Sequence, residues 1–386
     1  MIKFKADLRL LMFIRKLKFR SNRCLRYTAI ILCVFIYQGF SNLMADEQLS
    51  IKRSVRALGM GNAFIAVAND ESALFYNPAG LQSVQQHIFE PLTINGSTNQ
   101  DLIDIGTDLF NNGASTNILT QLTGMQLFGE LGGNVLSITG PGWGYSLFGE
   151  AEFSMAVHNP VIPYFDINTY LQYGFIFGLG FDTLDETLDW GFNLKYVGRM
   201  GINQVFHLVD FLDDQFMTNL TDFNRYTPKA GLTPDVGFIY TIDSLYNLDP
   251  KIAFVARNIG GLDFGPNGSI PMSFDTGVST ETEISLFDII LAADLIDITS
   301  ATTAEASMAR NVKLGVEIGI FKRSNGHHAI SFRLGKNGAY QTMGFTLNPW
   351  YIPFKLEVAQ WSEEVGSVAG AKEDKRYSME LSIFNF

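Results

Sequence analysis

The sequence predicts an all-β fold, an antiparallel transmembrane β-barrel of about fourteen strands closed around a small N-terminal unit. Two observations beyond residue 82 carry this. No apolar stretch there reaches 18 residues, so that part of the chain holds no helix long and greasy enough to span a bilayer. Apolar residues instead recur at every second position, with glycine and both signs of charge between them, as in strands that turn one face to lipid and the other to a polar interior. Backbone groups facing lipid must all be paired, so a spanning sheet has to close on itself and leave no edge. The third observation is an export leader.

Residues 3–26 hold nine Lys or Arg against the single acid Asp7, and Tyr27 to Phe40 is almost wholly apolar. This reads as a signal peptide over residues 1–45. Its apolar core is shorter than the ~20 residues of a spanning helix, and Leu43-Met44-Ala45 offers a cleavage site before Asp46. The basic region is long, and a start at Met12 would leave a more ordinary leader; the competing reading is an uncleaved anchor. Both cysteines, Cys24 and Cys33, fall inside this stretch. Ile31 and Leu32 are not the small residues that precede a lipidated cysteine, so no thiol chemistry is expected in the exported chain. The leader takes nine of the 28 basic residues and one of the 39 acidic ones, which moves the net charge from −11 to −19 and argues against nucleic acid as a partner. The expected location is the outer membrane of a Gram-negative-type envelope, with outer-membrane lipid around the chain.

Residues 46–83 form the next unit. Gly59 and Gly61 permit close backbone approach, and Ala63 to Ala68 is small and apolar. Asp70, Glu71 and Ser72 stand where a short helix would begin, with carboxylates at its positive end. Asn77-Pro78-Ala79-Gly80 stops it, because proline lacks a donor and pushes Asn77 toward an extended backbone. So short a segment cannot build a core of its own and needs a wall around it.

Residues 84–386 read as that wall. Val312, Leu314, Val316, Ile318 and Ile320 alternate with Asn311, Lys313, Gly315, Glu317 and Gly319; Trp190, Phe192, Leu194 and Tyr196 alternate with Gly191, Asn193, Lys195 and Val197. Turn signals divide the stretch into strands near 84–95, 133–139, 142–156, 164–182, 187–200, 231–243, 251–260, 271–281, 284–296, 309–322, 327–335, 338–348, 352–361 and 376–386. Two inserts, 101–123 and 203–220, are spaced as short amphipathic helices in long loops, where they either gather an amphiphilic ligand or pack on the rim. Asn325-Gly326 and Asn337-Gly338 mark tight hairpins. Lys195, Arg257, Asp294, Lys313, Glu317, Arg333, Lys355, Glu357 and Glu380 fall opposite the apolar stripes, and they are expected to form an ion-pair network that fills the lumen and holds the enclosed unit. Phe175, Phe177, Phe181, Trp350, Tyr351 and Trp361 are candidates for an aromatic girdle. In the last strand Tyr377, Met379, Leu381 and Ile383 share a face, whereas Phe384 and Phe386 fall on the other, which implies a bulge or a turn out of the sheet. A terminal Phe resembles the signal read by the outer-membrane insertion machinery.

Gly59-x-Gly61-x-Ala63-x-x-Ala66-x-Ala68-x-Asp70, ending in Asn77-Pro78-Ala79, resembles the N-terminal hatch of FadL-type outer-membrane barrels, a family that includes transporters of long-chain fatty acids and other hydrophobic compounds. Arg333 to Tyr340, with Thr342-Met343-Gly344-Phe345, resembles a late hairpin of the family's TraF-like and PorV-like branches. The resemblance implies a hatch, or plug, inside the lumen and passive uptake of a hydrophobic small molecule past it. The same branches imply an alternative, an accessory barrel serving a secretion or conjugation partner. A dinucleotide fingerprint does not fit, because Phe64 stands where Gly or Ala is required and no strand precedes the motif. His327 and His328 are adjacent on a strand and so point to opposite faces, His87, His158 and His207 are isolated, and no catalytic elbow, P-loop or zinc-protease motif occurs. The expectation is a non-enzyme without metal or cofactor.

Overall fold

The computed structural model describes residues 51–112, 122–159, 164–183, 187–207, 210, 227–242, 248–299, 308–322, 327–349, 352–365 and 373–383. The leader, residues 46–50, Asn325-Gly326, Trp350, Tyr351 and the last three residues lie outside that set.

Alternation sets the strands. In chain order they are β1 (Ile88–Glu90), β2 (Leu92–Asn99), β3 (Gln126–Gly140), β4 (Trp143–His158), β5 (Tyr164–Thr183), β6 (Leu188–His207), β7 (Lys229–Thr241) and β8 (Lys251–Arg257). A short ribbon follows, β9 (Leu262–Asp263) with β10 (Ser269–Ile270). The rest are β11 (Ser273–Ile284), β12 (Phe287–Leu295), β13 (Val312–Lys322), β14 (His328–Asn337), β15 (Tyr340–Leu347), β16 (Phe354–Glu364) and β17 (Glu373–Ile383). Fourteen of these, β2 to β8 and β11 to β17, pair antiparallel with their neighbours. Pairing of β17 with β2, from Arg376↔Asn99 to Ile383↔Leu92, closes the barrel and removes the edges. β1 prolongs β2 on the far side of Pro91, which has no N–H to give the ladder, and both lie along β3. In the same region β3 bulges between Asn134 and Leu136.

Period two decides what faces where. In β13, Lys313, Gly315, Glu317 and Gly319 are buried while Val312, Leu314, Val316 and Ile318 look outward. β16 likewise turns Lys355, Glu357 and Ala359 inward. Charge goes inside and apolar area outside, the inverse of a water-soluble core. β5 and β6 run for 20 residues each, about twice the length a tilted strand needs to cross hydrocarbon, so this side of the wall rises beyond the membrane.

The first insert forms an α-helix over Gln100–Asn112, capped by the Asn99 side-chain oxygen Oδ1, which accepts from Leu102 N at 3.1 Å; residues 113–121 of the insert lie outside the described set. The second does not begin as a helix. Asn203 to His207 are strand, paired with Tyr164 to Asn168, and cross-strand bonding overrides a helical spacing that rested on a few apolar residues; of its remainder only residue 210 is described.

Residues 51–83 lie within the lumen as two short helices, α1 (Val55–Gly59) and α2 (Ala73–Tyr76), and a 3-10 turn, Pro78–Ser83. Met60, Phe64, Ile65, Leu74 and Leu81 of this segment share a buried cluster with Ile176, Ile239, Val255 and Ile290 of the wall.

Candidate functional site

Close approach explains the small residues of the enclosed segment. A Cβ at Gly61, whose φ is +66°, would stand 2.5 Å from Leu314 O and Lys336 N, and one at Gly59 would stand 2.9 Å from Gly344 Cα. Thr342 Oγ1 donates to Gly59 O at 3.1 Å. Ala63 and Ala79 are fully buried, and a Cβ on Gly191 of β6 would come within 2.5 Å of Pro78 O. Asn77 ties the segment to itself: its Oδ1 accepts from Ala79 N at 3.1 Å, and its Nδ2 donates to Ile65 O at 3.0 Å.

One side of the segment rests on a chain of buried charges. Arg56 donates from Nε and Nη2 to Glu317, and from Nη1 to Asn69 at 2.7 Å and Asp70 at 2.6 Å. Glu317 also accepts from Arg333 Nε at 2.5 Å; Arg333 Nη1 donates to Thr346 Oγ1, which in turn donates to Glu357 at 2.8 Å. Lys355 meets Glu71 of the segment at 2.7 Å, with Glu90 at 3.6 Å and Glu357 at 4.0 Å. Burial alone would raise the Asp70 carboxyl, yet the Arg56 guanidinium beside it holds it down at about 2.

The other side is held by separate contacts. Asp294 Oδ2 accepts from the amides of Phe64 at 2.5 Å and Ile65 at 2.8 Å, Ser279 donates to Ala66 O at 3.0 Å, and Asn193 donates to Leu74 O at 2.7 Å. Lys195 pairs with Asp235 at 2.7 Å, Arg257 with Asp275 at 2.5 Å, and Lys313 donates to Asn337. Glu380 borders a void of about 20 Å³ shared with Lys52, Ser54 and Glu71. Of the nine wall charges singled out above, Glu317, Arg333, Lys355 and Glu357 therefore join one network, while Lys195, Arg257 and Asp294 stand apart from it. Sequence reasoning missed Arg56, Asp235 and Asp275, and gave Glu71 a place at a helix start and not its pairing with Lys355. Asp235 and Asp275 could have been found by parity along β7 and β11, whereas nothing near Arg56 announces its partner.

Phe175, Phe177 and Phe181 face outward. Trp361 does not belong to a girdle. It is fully buried, donates from Nε1 to Ser378 Oγ at 2.8 Å, and has the guanidinium groups of Arg53 and Arg376 at 5.1 and 5.2 Å from its ring centre. Counting by twos from Lys355 puts residue 361 on the inward face.

Two apolar features complete the site. Inside, Phe148, Val197, Leu262, Phe264 and Ile270 cluster with Ile51, and Phe75 packs both on this cluster and on the one beneath it. Outside, a concavity of about 900 Å³ runs across β14 to β17 and β2, lined by Phe332, Leu334, Met343, Phe345, Val358 and Met379. Gly344 lies at its floor, and Gly59 touches the same residue from within.

No protein-family profile and no curated protein sequence matches the chain. Solved structures do. A TodX monoaromatic hydrocarbon channel, the deltaS2S3 mutant, aligns with a TM-score of 0.50 at 10% identity over 86% of this chain and 99% of that one. The CymD monoaromatic hydrocarbon channel aligns with a TM-score of 0.44 at 13% identity over 88% and 99%. A Pseudomonas aeruginosa FadL homologue aligns with a TM-score of 0.35 at 10% identity over 89% and 100%. At these identities the likeness is one of architecture alone, and the chain has the closed antiparallel β-barrel fold of the TodX channel.

Proposed function

We propose that the protein is an outer-membrane channel for hydrophobic small molecules, in which residues 51–83 act as a hatch that shifts to let the solute pass. The observation that carries this reading is the apolar strip inside the barrel. Leu262 and Ile270 of the ribbon, Phe264 of the turn between its strands and Phe148 and Val197 of the wall form one buried cluster, which Phe75 of the enclosed segment joins to the buried cluster of the hatch. Inward apolar groups do nothing for a water-filled pore, whereas a hydrophobic solute gains ~25 cal/mol for each Å² it buries against them. The mutant TodX barrel of the same fold is described as a monoaromatic hydrocarbon channel, a solute class that fits such a strip. The polar seat of the hatch fits a moving part, because ion pairs and hydrogen bonds can be exchanged for contacts with water as the segment shifts.

Uptake tests the reading. Cells carrying the protein should take up a radiolabelled aromatic hydrocarbon or fatty acid faster than cells lacking it, and Phe264→Asp should abolish the difference while the barrel still assembles. Equal uptake in all three, with folded barrel present in the membrane, would contradict transport and favour the accessory-barrel alternative.

A further inference from the structure

Glu130 of β3 and Glu150 and Glu152 of β4 bring carboxylate oxygens within 4.8 Å of one another. Strand pairing assembles them. Glu130 stands directly opposite Glu152, and Glu150 stands opposite Gly132. On its other side Gly132 pairs with Asn95 of β2. Because Gly132 carries no side chain, Asn95 and Glu150 face each other over bare backbone: a Cβ there would stand 3.2 Å from both Asn95 Oδ1 and Glu150 Cα.

Asn95 is only 2% exposed. Its Nδ2 donates to Glu130 Oε1 at 3.1 Å, while its Oδ1 accepts no hydrogen bond from the described residues. A buried amide oxygen without a donor is unusual, and this one stands over Gly132, the residue that pairs with Glu150. Lys52, Arg53 and Arg199 stand near enough to attract these carboxylates, and Lys52 and Arg199 also bond to other groups. Lys52 Nζ donates to Asn134 at 2.6 Å and lies over Phe75, and Arg199 donates to Gln172 at 2.6 Å and 3.0 Å and lies over Tyr170 and Phe264. Tyr170 donates its hydroxyl to Glu152 at 2.7 Å, which fixes that carboxylate in place.

We propose that Asn95, Glu130, Glu150 and Glu152 form a Ca²⁺ site in the lumen wall that fastens β2, β3 and β4 to one another. The donors are all oxygen, which suits a hard cation and not zinc. Two oxygens on one Ca²⁺, at 2.3–2.6 Å each, lie up to about 5 Å apart, so three carboxylates within 4.8 Å fall inside the span of one such ion, whereas Mg²⁺, at about 2.1 Å, requires tighter closure and near-octahedral order. The site is independent of the transport reading.

The test is calorimetric titration of CaCl₂ into the full chain, purified in detergent and stripped with chelator. One saturable Ca²⁺ per barrel is expected, with Mg²⁺ at least tenfold weaker. Glu150→Gln should weaken binding at least tenfold, and Asn95→Asp, which replaces the bare carbonyl by a fourth carboxylate, should tighten it several-fold. Heat-modifiable migration on gels reports whether each protein is folded. Absence of saturable binding to folded wild-type barrel overturns the proposal, as does an Asn95→Asp titration that matches wild type; equal affinity for Mg²⁺ overturns the choice of ion.

Discussion

The guanidinium of Arg56 grips the carboxylate of Glu317 through two hydrogen bonds of 2.9 Å, so one residue of the enclosed segment is fixed in a fork to one strand of the wall. The remaining nitrogen holds Asp70, which makes Arg56 the bridge between a carboxylate of the wall and one of the segment. All three groups are buried.

Arg56→Met should therefore loosen the segment, because Asp70 would stay buried without its partner; removing one member of a buried pair costs about 3–5 kcal/mol. Arg56→Lys restores charge without the fork and should recover only part of the loss. Proteolysis within residues 51–83 should be fastest for the Met variant and intermediate for the Lys variant. Wild-type rates in both would mean that this contact does not hold the segment.

The same contact should weaken in acid. Burial pushes the Asp70 carboxyl up and Arg56 pulls it down further, from 3.8 to about 2. The folded state thus binds the proton less readily than the unfolded one, so the stabilisation is complete above about pH 4 and is lost as the pH falls through about 2. Pepsin cleavage within the segment should rise across that window in wild type, while Asp70→Asn should be cleaved readily already at pH 4. An identical acid step in the Asn variant would assign the transition to another group.

Facing is tested on β13. Leu314→Lys places a charge on the outer face at ~2–4 kcal/mol if it lies near the midplane, whereas Lys313→Gln leaves a polar group inside beside Asn337 and should cost far less. Urea unfolding of the folded barrels separates the two, and equal destabilisation would mean the faces are reversed.

How much of this was legible depends on the length scale of each feature. A two-residue period leaves a trace over ten residues, so the strand count and the inward position of Lys313 and Glu317 could be read directly. Trp361 was misplaced because its residue type suggested a girdle while its parity said otherwise. The apolar spacing of Asn203 to His207 is too short to distinguish a helical from a strand period, and pairing with β5 makes the segment strand. Arg56 and Glu317 are 261 residues apart, and the three carboxylates of β3 and β4 meet only through strand register; neither relation has a local signature.

The central claim is that residues 51–83 close the lumen, and planar-bilayer conductance of the glycine variants tests it most directly. In Gly61→Val a branched side chain meets Leu314 O and Lys336 N, and the residue must hold a φ of +66°; in Gly59→Val it meets Gly344. The fourteen wall strands pair among themselves, so both barrels should keep heat-modifiable migration while small-solute conductance rises above wild type. Asn77→Ala, which removes the cap of the turn at Pro78, should raise it less. Conductance at the wild-type level in all three variants would contradict the claim that this segment is the closure.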